Sequence, residues 1–209
     1  MRRHIVAAAA ASLVACASTL PIGERPTVAA DEPDRITAVL KRDFHDRGPA
    51  KLARLDLDAV QRTCNLHADH PPASVAEPLE KAQLETIKFP SDGRLLGDWK
   101  NGEKIAQNGR GSMWSDKAGA PAGGGCYNCH QLSPKEASFG TIGPSLYRFG
   151  KLRGDGPEVQ KYVYGKIYNA KAYNLCSQMP RLGYAGTLTE QQIKDVTALL
   201  LDPASPVNQ

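Results

Sequence analysis

A single run, Cys126-Tyr127-Asn128-Cys129-His130, constrains this chain more than any other feature. Two thiols three positions apart can each add to one vinyl group of the same porphyrin, and the adjoining imidazole then reaches the iron. Cys-x-x-Cys-His is therefore the attachment signature of c-type haem. Cys126 and Cys129 would form the thioether bonds and His130 would be the proximal ligand. A bare Cys-x-x-Cys also suits a redox dithiol or half of a zinc site, but the chain has no second pair to complete a zinc cage. One motif implies one covalently bound haem c.

Haem held in this way needs a sixth ligand, and that choice sets the function. An open position could activate small molecules, whereas a second strong protein ligand favours electron transfer. No histidine follows His130, and Met179 is the only later methionine, in Cys176-Ser177-Gln178-Met179-Pro180. Pro180 biases Met179 toward extended backbone, which suits a loop presenting a thioether. Cys176 is the rival ligand and Met113 a third, while Met179 could instead fill a gap in the core. Gly143-Pro144-Ser145-Leu146 is either an ordinary turn or the source of a carbonyl that accepts from the free N–H of His130.

The chain begins with Met1-Arg2-Arg3-His4 and an apolar stretch, Ile5 to Ala15, the pattern of an export signal over residues 1–30. These eleven residues, ten of them apolar, are too few to span a bilayer as a helix. Val28-Ala29-Ala30 suits cleavage before Asp31. Leu13-Val14-Ala15-Cys16 has the form of a bacterial lipobox, in which Cys16 would carry a lipid and tie the protein to a membrane. Either route leads to an oxidising compartment, here the periplasm. There Cys64 and Cys176 invite a disulfide worth about 2–4 kcal/mol, the alternative being two buried thiols.

Charge excludes one class of partner. The net charge of +4 for 209 residues falls to +2 without residues 1–30, and no basic run or basic-aromatic stripe points to nucleic acid.

The chain reads as all-α. Residues 31–94 form a helical extension with thin apolar faces: Ile36, Val39, Leu40 and Phe44 on one helix, then a helix capped by Asp58 with Val60 and Cys64, then Val75 to Ile87. Such faces suit wrapping another unit. Cys64, His67 and His70 could hold a metal, although exposed histidines are the simpler expectation. Residues 95–209 form the haem-bearing domain. Asp98 starts a helix containing Gly102, where glycine costs about 1 kcal/mol against alanine and implies a close-packed neighbour. The candidate is the last helix, started by a Thr189/Gln192 capping box with Leu188 and Ile193 as its staple, and ended at Asp202-Pro203. Gly111 to Gly125 reads as an ordered surface loop.

Several segments together closely resemble one family: Ile142-Gly143-Pro144-Ser145-Leu146, Lys166-Ile167-Tyr168-Asn169, Cys176-Ser177-Gln178-Met179-Pro180-Arg181, and Asp202-Pro203-Ala204-Ser205-Pro206-Val207-Asn208. This pattern over residues 95–208 resembles SoxX, the monohaem cytochrome c subunit of the SoxAX thiosulfate-oxidising complex. The resemblance implies a class I cytochrome c fold, with His130 and Met179 as the axial ligands. It also implies a heterodimer with SoxA, which carries the active-site haem and the catalytic cysteine, so that this chain has no catalytic residue of its own. Electrons released when thiosulfate is joined to a cysteine of the carrier SoxYZ would pass through this haem to a downstream cytochrome c. The last helix lacks the aromatic that class I cytochromes place opposite the glycine of the first. A free-standing periplasmic shuttle is the alternative function, and the extension argues against it.

Overall fold

Two helices at opposite ends of the domain sequence, α4 (Trp99–Gln107) and α7 (Glu190–Leu201), cross at a point where no side chain intervenes. A Cβ at Gly102 would overlap the Asp195 carbonyl oxygen and press on Leu199 Cβ. The partner that the sequence left unassigned is thus α7 backbone and a leucine rather than an aromatic. Asp195 tightens the crossing, its carboxylate accepting from the Asp98 N–H at 2.9 Å and from Gln191 Nε2 at 2.8 Å. Both expected helix starts are formed. Asp98 accepts from the Lys100 N–H, and the Thr189/Gln192 capping box is complete.

The computed structural model describes residues 32–209, so the export signal and Cys16 lie outside the described residues. Among the described residues the chain is all-α and no strand occurs. No helix there is long and apolar enough to cross a membrane. The main core joins Ala106 of α4, Val163, Tyr164 and Ile167 of α6 (Pro157–Tyr168), and Ile193, Val196, Leu199, Leu200 and Leu201 of α7. Burying each large aliphatic contributes about 1.5–3 kcal/mol, so α7, buried continuously from Ile193 to Leu201, is the largest contributor. Helix α6 escapes the sequence reading. Its signals, Pro157 at the first position and Glu158 in the first turn, are present. A short α5 (Phe149–Arg153) and the tail pack on the end of α7. There the buried Asn208 side chain donates to the Leu200 and Asp202 carbonyls at 3.0 Å and accepts from the Lys151 N–H.

The extension holds α1 (Glu32–Asp43), α2 (Ala59–Leu66) and α3 (Ala73–Glu85). Helix α3 begins two residues earlier than its apolar pattern implies, just after Pro72, and tolerates Pro78 within its second turn, six residues in. Asp58 caps α2 in a full box with Gln61. Val60 and Cys64 form a second small core with Leu175, joined by Ala76, Leu79 and Cys176. The faces of α2 and α3 pack on residues 169–181 of the same chain, whereas Ile36, Val39 and Phe44 on the face of α1 stay exposed. Cys64 and Cys176 form a disulfide. That bond takes Cys64 out of the metal site weighed for Cys64, His67 and His70.

Partial burial pushes Asp58 up, but hydrogen bonds from the Gln61 N–H and the Arg181 guanidinium outweigh it, leaving its pKa below the usual carboxylate range. A depressed folded-state pKa contributes stability above the unfolded value of about 3.9 and loses it as pH falls further. Asp58→Asn keeps a capping side chain, so the stability gap between wild type and variant should be widest near neutrality and close below about pH 4. Denaturant titrations at several pH values measure it; a gap independent of pH would contradict the ion pair. Gly102→Ala should lose about 1–2 kcal/mol, because overlap with backbone outweighs the gain in helix propensity. Equal or greater stability of that variant would mean that α4 and α7 are not in contact there.

Candidate haem-binding site

The Cys-x-x-Cys-His run occupies one turn. Cys126–Asn128 is a 3₁₀ turn started by Gly125, whose φ of 55° is left-handed. The Cys126 carbonyl accepts from both the Cys129 N–H at 3.1 Å and the His130 N–H at 2.9 Å, so two thiols and one imidazole leave a single turn of backbone. This turn is slung between the two crossing helices. The Gly124 N–H donates to the Ile105 carbonyl of α4 at 2.9 Å, and Gln192 Nε2 of α7 donates to the Ala122 carbonyl at 2.8 Å. The preceding insertion is ordered by Asp116, which accepts from the Gly111 and Met113 N–H groups at 2.7 Å. Arg47 lies over the Trp114 ring at 4.4 Å.

The segment after the motif runs back alongside it. Gly140, Gly143 and Leu146 donate N–H groups to the Tyr127, Cys129 and Gln131 carbonyls at 2.8–2.9 Å. This brings the Pro144 carbonyl 2.7 Å from His130 Nδ1. A carbonyl oxygen can only accept, so Nδ1 carries the proton and Nε2 keeps its lone pair for a ligand. The imidazole also lies directly on Gly143, where a Cβ would overlap ring atoms Cε1, Nδ1 and Nε2. Of the two readings of Gly143-Pro144, the structure has the one in which proline's carbonyl orients the histidine.

Met179 packs against the same main core as Cys126. Leu182, three residues after it, and Leu188 approach Gly124 beside Cys126 Sγ, giving the thiol an apolar surround. Burial pushes the Cys126 thiol up to about 11, so it stays protonated at neutral pH. The two rivals of Met179 lie elsewhere. Cys176 is consumed by the disulfide, and Met113 is an exposed residue of the insertion.

A methionine bracketed by polar anchors was not legible in advance. Lys171 is buried, with Nζ donating to the Leu175 and Ser177 carbonyls at 3.2 Å, and desolvation lowers its pKa. The Met179 N–H donates to Ser177 Oγ at 3.2 Å. Lys171 carries no sequence signal beyond its place two residues after Asn169, which is itself fully buried. The donor set suits a covalently attached haem: two thiols and an Nε2 lone pair from one turn, an apolar surround, and a thioether on the same core.

The class defined by these observations is an all-α protein built around a Cys-x-x-Cys-His turn. The chain is 37% identical over 155 residues to a protein of Aquifex aeolicus (strain VF5) described as an uncharacterized lipoprotein, the match covering 73% of each. It belongs to the family of that Aquifex protein. No family model matches the chain.

Gly143→Ala should push the His130 ring off its position and break the bond to Pro144. Nitrogen NMR of the imidazole would then show loss of the pure Nδ1–H tautomer. An unchanged tautomer would refute the close stacking.

Proposed function

We propose that this protein is an exported c-type cytochrome of class I fold that relays electrons as the SoxX-like subunit of a thiosulfate-oxidising complex. The observation that carries the reading is the Cys126–His130 turn, with His130 Nδ1 bound to the Pro144 carbonyl and Nε2 left as a donor. The SoxX-like segments support the narrower assignment, since they coincide with built features. Ile142 to Leu146 positions His130, Cys176 to Arg181 carries Met179, and Asp202 to Asn208 closes the end of α7. The Aquifex relative's description as a lipoprotein supports export and a lipid anchor, which this reading places in the periplasm and on Cys16. The disulfide agrees with an oxidising compartment.

Cys126 and Cys129 would hold the haem by thioether bonds, and His130 Nε2 and the Met179 sulfur would ligate its iron. When bound, haem supplies a one-electron couple whose potential thioether ligation raises relative to a second imidazole. The chain's own part is positional. Pro144 keeps the His130 proton on Nδ1 and so keeps Nε2 basic. Gly143 leaves room for the ring. Leu182, Leu188 and the α4–α7 core keep water from the thiol side of the site. The partners in this reading are a SoxA-like haem protein as electron donor, the SoxYZ carrier through that complex, and a downstream cytochrome c as acceptor.

Produced with a cytochrome c maturation system, the protein should retain one haem through denaturing electrophoresis, and Cys126→Ala combined with Cys129→Ala should lose it. Met179→Ala should keep the haem and lose the ferric methionine–iron absorption band. A surviving band would remove Met179 from the ligand set. Purified from its native source, the protein should emerge with a second haem protein in equal amount and be reduced on adding thiosulfate with the carrier. A lone monomer would favour a free shuttle instead.

A further inference from the structure

The segment that carries Met179 is fastened from outside, on both sides of the methionine, by the extension. Three residues before it, Cys176 is bonded covalently to Cys64 of α2. Two residues after it, Arg181 donates to the Asp58 carboxylate that caps α2 and to Gln83 Oε1 of α3 at 3.4 Å. Farther upstream, buried Asn169 Nδ2 donates to Gln83 Oε1 at 3.1 Å and to Thr86 Oγ1 at 2.8 Å. Leu175 packs with Val60 and Cys64 in the second core rather than with α4, α6 and α7. These fastenings lie outside the main core and converge on the one segment that carries Met179.

We propose that the extension is a clamp on the methionine, with Cys64, Cys176, Asp58 and Arg181 acting as positioning residues that hold Met179 against the haem iron. The proposal rests on the haem reading above. A thioether is a neutral ligand on a flexible side chain, and it is kept in place by the rarity of states in which its loop has opened. Local opening of this kind has its own free energy, separate from global unfolding. An external ligand must wait for the open state, so its apparent affinity is reduced by the fraction of molecules that are open. Releasing the clamp raises that fraction. If the disulfide and the ion pair had only their ordinary structural role, losing them would lower global stability and leave ligand exchange at the iron unchanged.

The test is a titration of the ferric holoprotein with imidazole, followed by the methionine–iron band. Wild type should show the band and bind imidazole weakly. Cys64→Ser combined with Cys176→Ser should bind at least about tenfold more tightly with unchanged helical circular dichroism, and Asp58→Asn should shift affinity the same way by less. Equal affinities in all three proteins, with the band present in wild type, would overturn the clamp while leaving Met179 as ligand. A wild-type protein without the band would remove the methionine reading, and the clamp with it. Should the double variant fail to fold, Asp58→Asn retains the disulfide and decides the matter by the same titration.

Discussion

Contact between bare backbones at Gly102 and Asp195 is the constraint from which the remaining architecture follows. Only glycine lets α4 lie this close to α7, and the resulting pair supplies the anchor points for the Cys-x-x-Cys-His turn. The Ile105 carbonyl, in the last turn of α4, takes the Gly124 N–H, while Gln192 in the first turn of α7 takes the Ala122 carbonyl. Gln192 therefore has two tasks, completing the helix cap through Oε1 and holding the motif loop through Nε2. A wider helix crossing would separate these anchors and loosen the turn that presents both thiols and His130.

Around that crossing the two sides of the site are controlled by different parts of the chain. The histidine side is local: fourteen residues separate His130 from its acceptor Pro144, and the lateral hydrogen bonds between 127–131 and 140–146 bring them together. The methionine side is long-range. Its disulfide spans 112 residues and its ion pair 123. Closing loops of that length costs entropy that a single ion pair does not offset, which is the physical reason for a covalent bond in the middle of the arrangement. Buried Lys171 and part-buried Arg181 serve the same segment differently. Lys171 satisfies carbonyls within it, and Arg181 ties it to α2 and α3.

How much could be read in advance divides along the range of the interaction. The caps at Asp58, Asp98 and Thr189 were legible because a cap is settled within three or four residues. The all-α character and the α4–α7 crossing were legible too, the latter because Gly102 in mid-helix is costly without a packed neighbour. Helix α6 is hard to read from sequence because its buried face mixes Tyr164 and Gly165 with aliphatics, which weakens the apolar period. Pro144 as the partner of His130 was even with an ordinary turn until the course of residues 140–146 was known.

Residue order alone established the chemistry on offer: two thiols and an imidazole at a spacing that one helical turn presents together, and a lone downstream methionine. Those facts are local or are matters of inventory, and they hold whatever the fold. Folding in three dimensions settled which nitrogen of His130 keeps its lone pair, that Cys176 is bonded to Cys64, and that the extension grips the methionine segment. Each of these depends on where distant stretches of chain meet, and hydrophobic burial, which drives that meeting, is blind to the order in which the residues occur.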